Sequence, residues 1–487
     1  MTSQRGILAL DQGTSSTKGV LFGLDGTVLG MASVPVGLES PQSGWVQQDP
    51  EEIFQSVLAV ANQLLGSAVP EIQLAGVAIS NQRESALAWD PQTGKPLSAM
   101  LGWQDRRTSE RAAQYSVNDK KMVRQVSGLP LDPMFSALKF AWILDQIDPD
   151  RALSNSGQVA LGTVDAWLVY RLGNEHVIEA GNASRTQLLD VTTGQWSEPL
   201  LELFDIPLLA LPQVVPSNHR VEITHNGPLQ GSEILAVLAD SHAALYAHQA
   251  VSPAKVKATF GTGSSVMALT ETAASEDSGL VTTVAWAGDS GLVTGVEGNI
   301  LSSGATVVWL GQFLNQTAGE LAELAQQAQT YGLSLGQLNL VPAFGGLGAP
   351  WWDLEAQGLL DGMTLDTDRG DLAVAAFEAI CLQIEDVLLA VESASGNRLA
   401  AISVDGGPTS NAWLMQLMAD ASQREIWVSP IAELSAAGAA LFASNSIESG
   451  QEFSLGEAKR YQPNVSAARA TERKNHWDAA VKRARRK

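Results

Sequence analysis

The feature that most constrains this chain is a short polar turn that occurs twice, about half a chain apart, each time between two apolar runs. Gly13-Thr14-Ser15-Ser16 follows Ile7–Leu10 and precedes Lys18–Phe22, with Thr17 as a further hydroxyl. Gly261-Thr262-Gly263-Ser264 follows Lys255–Phe260 and leads through Ser265 into Val266–Thr270. Self-similarity at this spacing predicts a duplicated domain, because solenoid repeats have periods of about 20–50 residues. A chain of 487 residues also exceeds one ordinary core. The expected division is an N-terminal lobe over 1–250, a C-terminal lobe over 251–455 and a basic helical tail over 456–487.

The local patterns give an α/β architecture. The opening β-rich runs, with the Leu24-Asp25-Gly26 turn and Val28–Val34, read as an antiparallel meander. Asp49-Pro50-Glu51-Glu52 starts a helix through Ile53–Leu65, and Ile72–Ser80 reads as a buried strand. Ile234–Ala239 is a further strand, and Ser241–His248 a helix. In the second half, strands are expected near Val281–Ala285, Gly291–Glu297 and Leu399–Val404. Helices are expected over Gly304–Phe313, Thr317–Thr330, Leu372–Ser393, Asn411–Ala421 and Ala436–Ala443, the second with a Thr317/Glu320 capping box and the third ended by Gly396.

Composition narrows the function. A net charge of −22 argues against nucleic acid as a partner, since phosphate backbones are bound by basic patches. Any anionic ligand must be met by local amides and a few cations against an unfavourable field. The basic cluster Arg473-Lys474 with Lys482 to Lys487 reads either as a solvated last helix docked by Trp477 and Val481, or as a membrane- or RNA-binding tail. The single cysteine, Cys381, excludes internal disulfides and falls in a helical run, where a small buried thiol is expected. No apolar run reaches the ~18 residues of a membrane span, and Met1–Gly6 carries no signal-peptide core, so a soluble, cytoplasmic chain is expected.

Several residues have the chemistry of a site. In Asp11-Gln12-Gly13-Thr14-Ser15 the glycine permits a sharp turn, so amides and hydroxyls can converge on phosphate oxygens. Asp11 could then reach a phosphate-bound Mg²⁺ through water. The alternative is an ordinary hairpin turn. No GxxxxGK[ST] is present, and Gly261-Thr262-Gly263 lacks the third glycine of a dinucleotide fingerprint. Asp240, at the end of a buried strand, is either a helix N-cap or an acid placed to take a proton from an attacking hydroxyl. Arg83 and Glu84, beyond Ile72–Ser80, offer a donor fork and an acceptor suited to a vicinal diol, or form a surface ion pair. Asp405-Gly406-Gly407 lets a flat group approach the backbone, or simply turns strand into helix.

Taken together these residues resemble the FGGY carbohydrate kinases. Met134-Phe135-Ser136-Ala137-Leu138-Lys139-Phe140-Ala141-Trp142-Ile143-Leu144-Asp145-Gln146 is similar to the family's first pattern. Gly358-Leu359-Leu360-Asp361-Gly362-Met363, with Asp371-Leu372 and Ala375-Ala376-Phe377-Glu378, is similar to its second. Gly162–Leu168, Asn182-Ala183-Ser184-Arg185-Thr186 and Val341–Phe344 add to the likeness, which runs from about Leu8 to the C-terminus.

The resemblance implies two ribonuclease-H-like (actin/hexokinase-type) lobes with an interlobe cleft for ATP and Mg²⁺. It implies Asp240 as general base, and Asp11 and Asp240 as metal-associated acids. Thr14, Ser15 and Lys18 would meet phosphates, Lys18 standing where the family often has Arg. Thr262, Gly304, Gly406, Gly407 and Asn411 would line the nucleotide. The triplet Gln82-Arg83-Glu84 and Trp103 are similar to the glycerol-phosphorylating branch. There the acceptor would meet Arg83, Glu84, Trp103, Phe135, Asp240, Ser241 and Ser265. Phe135 replaces a Tyr of that branch, Ser241 a Gln and Ser265 a Phe. Asn226-Gly227-Pro228-Leu229-Gln230-Gly231, assigned to the second lobe, stands where some relatives have a Gly-Gly-Thr-Arg stretch that binds fructose bisphosphate, so that control is not expected. The implied reaction is ATP-dependent phosphorylation of a terminal hydroxyl of a small polyol, glycerol to glycerol 3-phosphate. The alternative acceptors are erythritol, a pentitol, xylulose or ribulose, and the implied assembly is a dimer or tetramer.

Overall fold

The computed structural model describes residues 4–67, 72–329, 338–448 and 451–485. Arg486 and Lys487 of the basic cluster, Met1–Ser3 of the N-terminal stretch and Thr330, the expected end of a helix, lie outside the described residues. The chain forms two compact units. The first comprises Met1–Ala250, Thr282–Thr294 and Glu433–Leu455, and the second Val251–Val281, Gly295–Ala432 and Gly456–Lys487.

The first unit is built on strands β1 (Gln4–Gln12), β2 (Ser16–Gly23), β3 (Val28–Pro35), β4 (Ile72–Asn81), β5 (Val221–Glu222) and β6 (Glu233–Ala239). Their order in the sheet is β5-β6-β4-β1-β2-β3. The meander β1-β2-β3 is antiparallel, whereas β1, β4 and β6 run parallel. Register places Asp11 beside Ser80, and Leu238 and Ala239 beside Ser80 and Asn81. In β1 both alternating sets, Ile7 with Ala9 and Leu8 with Leu10, are fully buried, so both faces of the sheet are covered. Helix α1 (Pro50–Ser67) packs on β2 and β3. The amide of Glu51 bonds Asp49 Oδ1 at 2.8 Å, as the Asp-Pro start predicts.

A second sheet repeats this plan. Strands β7 (Val256–Phe260), β8 (Ser264–Leu269), β9 (Val281–Gly288), β10 (Gly291–Ile300), β11 (Ala401–Asp405), β12 (Glu425–Val428) and β13 (Lys459–Tyr461) are ordered β9-β10-β8-β7-β11-β12-β13. Pairings β7/β8 and β8/β10 are antiparallel, β7/β11 and β11/β12 parallel, and β12/β13 antiparallel. This reproduces the sequence of pairings from β3 through β5, so the repeated turn marks a repeated sheet. Between β7–β10 and the closing strands lie helix α3 (Gly304–Leu314) and the long α4 (Arg369–Ser395), capped by Gly396 with φ 68°. Cys381 is buried in α4, and burial pushes its thiol well above the usual range.

The observed units depart from the expected lobes at several places, and Thr282–Thr294 as well as Glu433–Leu455 belongs to the first unit. Helix α6 (Leu434–Ser444) follows α5 (Ala412–Ser422) in the chain but packs on β1, β4 and β6 of the first unit. Its small buried face, Ala436, Ala437, Gly438, Ala439 and Ala440, allows this approach: a Cβ on Gly438 would lie 1.8 Å from the carbonyl oxygen of Ala243. Residues 226–231 lie in the first unit, between β5 and β6, rather than in the second lobe. The C-terminal helix α7 (Ala467–Arg485) is a structural part of the second unit, not a solvated tail. Trp477 and Val481 do dock it, but Arg473 is 1% exposed and ion-paired with Glu378 at 2.7 Å. Among the described residues no helix is long and apolar enough to cross a membrane.

Candidate functional site

The three parallel strands of the first unit end together, and each delivers a candidate residue just there: Asp11 on β1, Arg83 and Glu84 after β4, and Asp240 after β6. Carboxyl ends of parallel strands are where open α/β sheets bind ligands, because the chain must leave the sheet as loops.

The β1–β2 hairpin is braced by buried amides. Gln82 Nε2 donates to Gln12 Oε1 at 3.1 Å and to Gln48 Oε1 at 2.8 Å, and Gln48 Nε2 donates to the carbonyl of Thr14 at 2.9 Å. Thr14 Oγ1 donates to Gln82 Oε1 and accepts from the indole of Trp103 at 3.1 Å. Ser15 is exposed, whereas Thr17 turns inward to the Ser56 hydroxyl at 2.6 Å and is not offered to a ligand. Lys18 Nζ reaches both oxygens of Glu433, at 2.8 and 3.0 Å.

Asp11 accepts from Ser80 Oγ at 2.5 Å. Burial raises its pKa to about 6; Ser80 and Lys18 oppose this, while the carboxylates of Asp240 and Glu433 add to it. A divalent cation beside Asp11 would offset that surplus of negative charge, which fits Mg²⁺ held by one or two carboxylates and completed by water and phosphate oxygens. The described residues contain no cluster of three or more metal-ligating side chains.

Asp240 is the first residue of helix α2 (Asp240–Val251), and its Oδ1 accepts from the amide of Ser241 at 2.6 Å. Its carboxylate remains 38% exposed, and Arg83 Nε lies 3.6 Å from Oδ1 and 3.8 Å from Glu84 Oε1. Arg83 and Glu84 are only 12% and 6% exposed, which removes the surface ion pair as an account of them. Glu84 adopts φ 55°, and its carboxylate is held by Arg185 Nε at 2.6 Å. Arg185 in turn lies 5.3 Å from the ring centre of Phe135, which is buried at the start of helix Ser136–Ile147. Trp103 is 39% exposed and Ser241 half-buried.

In the second unit the β7–β8 hairpin meets the start of α3. The amides of Ser303 and Ala305 bond the carbonyl of Thr262, and that of Gly304 bonds Gly261 at 2.9 Å. A Cβ on Gly304 would lie 2.6 Å from that same Gly261 oxygen. After β11, Gly406 has φ 98°, and a Cβ there would lie 2.0 Å from the carbonyl of Phe260. Gly407 borders open space, and Asn411 caps α5 by accepting from the amides of Trp413 and Leu414. Ser265 is half-buried in β8 opposite Thr259 and Asn299. The expected residues therefore divide: Asp11, Thr14, Ser15, Lys18, Arg83, Glu84, Trp103, Phe135, Asp240 and Ser241 in the first unit, and Thr262, Ser265, Gly304, Gly406, Gly407 and Asn411 in the second.

Sequence reasoning gave no role to Arg185, Gln48 or Glu433. Arg185 stood in a stretch that carried the resemblance. Gln48 and Glu433 carried no local signal, since Glu433 reaches Lys18 only because α6 returns to the first unit.

Residues 6–255 match the family model described as "FGGY family of carbohydrate kinases, N-terminal domain", and residues 256–447 its C-terminal domain. A glycerol kinase of Koribacter versatilis is 37% identical over 490 residues, covering 98% of both chains. An apulose kinase of Pectobacterium atrosepticum is 38% identical over 493 residues, again covering 98% of both. Among solved structures, Plasmodium falciparum glycerol kinase with ADP superposes with a TM-score of 0.90 at 26% identity, covering 99% of this chain and 98% of that one.

Proposed function

Since the chain belongs to the FGGY family of carbohydrate kinases, ATP-dependent phosphotransferases that use Mg²⁺, we propose that it phosphorylates a terminal hydroxyl of a small polyol, glycerol giving glycerol 3-phosphate. The observation that carries this reading is the placement of Arg83 Nε between Glu84 and Asp240, at 3.8 and 3.6 Å. It puts a donor fork between two acceptors at a strand end, which matches adjacent hydroxyls on a short carbon chain.

On this reading Arg83 donates to the acceptor hydroxyls, Glu84 accepts from one, and the Trp103 ring packs on the carbon chain. Asp240 takes the proton of the attacking hydroxyl, a role its exposure and helix-terminal position suit. Thr14, Ser15 and Lys18 face the phosphates, and Thr262, Gly304, Gly406, Gly407 and Asn411 line the nucleotide. Asp11 and Asp240 would hold Mg²⁺, which when bound neutralises charge on the transferred group. Action in the cytoplasm, and assembly as a dimer or tetramer, go with this reading.

A second acceptor class has its own support. The apulose kinase is as similar as the glycerol kinases, and Phe135, Ser241 and Ser265 depart from the glycerol-phosphorylating pattern, the two serines being smaller than the Gln and Phe they replace. A ketose or larger polyol would suit those residues. ADP release measured with glycerol, erythritol, pentitols, xylulose and ribulose tests both. Glycerol giving the highest kcat/KM supports the first reading, and a ketose or larger polyol exceeding it tenfold replaces it with the second.

A further inference from the structure

Lys139 is completely buried on the helix Ser136–Ile147, where a lysine is expensive to place. Its Nζ donates to two backbone carbonyls, Glu84 at 2.7 Å and Met134 at 2.6 Å. These flank the acceptor-side residues: Glu84 carries the carboxylate held by Arg185, and Met134 precedes Phe135. Glu84 is also in the left-handed region, at φ 55°, a conformation that a non-glycine residue keeps only when its surroundings hold it. Ser136 Oγ adds a second tie, donating to the carbonyl of Ser85 at 2.8 Å.

We propose that Lys139 is a positioning residue for the acceptor: by gripping the carbonyls of Glu84 and Met134 together it fixes where the Glu84 carboxylate and the Phe135 ring are presented. This rests on the reading of Arg83 and Glu84 as acceptor-binding. Burial supports the assignment further, because it lowers the Lys139 pKa to about 7; the carboxylates of Glu84, Asp105 and Asp132 oppose that shift and Arg106 adds to it. A buried amino group is costly unless it is hydrogen-bonded, and the two carbonyls supply those bonds.

The test is steady-state kinetics of the full chain, with the best acceptor from the panel, and ADP binding followed by tryptophan fluorescence. Lys139→Met keeps the length and removes the donors. The expected result is an acceptor KM raised at least tenfold, with ADP affinity within twofold of wild type. In a Glu84→Ala background, which alone raises the acceptor KM, Lys139→Met should add clearly less than its own tenfold, because one of the two groups it positions is already gone. Equal loss of acceptor and ADP binding, or full additivity with Glu84→Ala, would mean a merely structural role and overturns the proposal. If Glu84→Ala leaves the acceptor KM unchanged, the acceptor-site reading itself fails and the proposal falls with it. Should Lys139→Met not fold, Lys139→Arg is measured the same way: its larger fork displaces both carbonyls, and an unchanged acceptor KM overturns the proposal.

Discussion

The indole N–H of Trp103 donates to Thr14 Oγ1 at 3.1 Å, and the same threonine hydroxyl donates to Gln82. A side chain expected to pack on the acceptor therefore also holds the β1–β2 hairpin that is proposed to face the phosphates. Trp103→Phe keeps an apolar ring but loses the donor. A neutral hydrogen bond is worth about 0.5–1.5 kcal/mol, so the KM for ATP should rise about 2–10-fold while the acceptor KM changes less. Trp103→Ala should raise both. Initial rates with each substrate varied in turn check the contrast.

Asp240→Asn should lower kcat by about 10²–10⁴, the usual worth of a general base, with ADP affinity nearly unchanged. Turnover close to wild type in a coupled assay of ADP release would remove Asp240 from that role.

Asp11 has its folded-state pKa raised to about 6 from 3.8. Its stability contribution is greatest below the unfolded value and is lost as pH rises through about 6, where a buried charge must form. On the proposed reading Mg²⁺ is held by that charge. Apparent Mg²⁺ affinity in the kinase assay should therefore fall as pH drops below about 6, and Asp11→Asn should flatten this profile while raising the metal-free unfolding temperature at pH 8.

Arg473 and Glu378, 1% and 0% exposed, are paired at 2.7 Å, and Arg473 also donates to Asn339 at 2.6 Å. Removing one partner of such a pair leaves a buried charge, at a cost of about 3–5 kcal/mol. Arg473→Ala should show this in urea unfolding of the second unit. The acceptor KM, for which Arg83, Glu84 and Asp240 are proposed and all lie in the first unit, should change little at low temperature.

Gly438→Ala would put a methyl group 1.8 Å from the carbonyl oxygen of Ala243. Forcing α6 from its seat should destabilise the first unit by about 3 kcal/mol. Thermal unfolding of the variant, compared with Gly407→Ala, where nothing stands nearby, isolates the steric effect.

The repeated hairpin was legible because a strand-turn-strand signal is local: apolar runs, a glycine and hydroxyls suffice to expose it. The same holds for the cap of α4 at Gly396 and the Asp-Pro start of α1. Asp240 stood in the sequence as either cap or base, and only the register of Ala239 before it with Asn81 and the nearness of Arg83 bring it to the other candidate residues. Arg185, Lys139 and Glu433 were not legible in these positions, because their partners Glu84, for the first two, and Lys18, for the third, are brought to them by packing across the fold rather than by spacing. The basic C-terminal helix misled for a related reason: a charged residue such as Arg473 looks solvated until its buried carboxylate is seen.

The return of residues 433–455 to the first unit has a consequence for the order in which the protein comes into being. When residue 250 leaves the ribosome, β1, β4 and β6 are all made but α6, which packs on them, is not. At about 5–20 residues/s that face waits on the order of ten seconds or more for its cover. The first unit is thus begun first and finished almost last, and a nascent chain arrested before α6 should remain a substrate for chaperones and proteases even though every proposed acceptor residue of that unit has been synthesised.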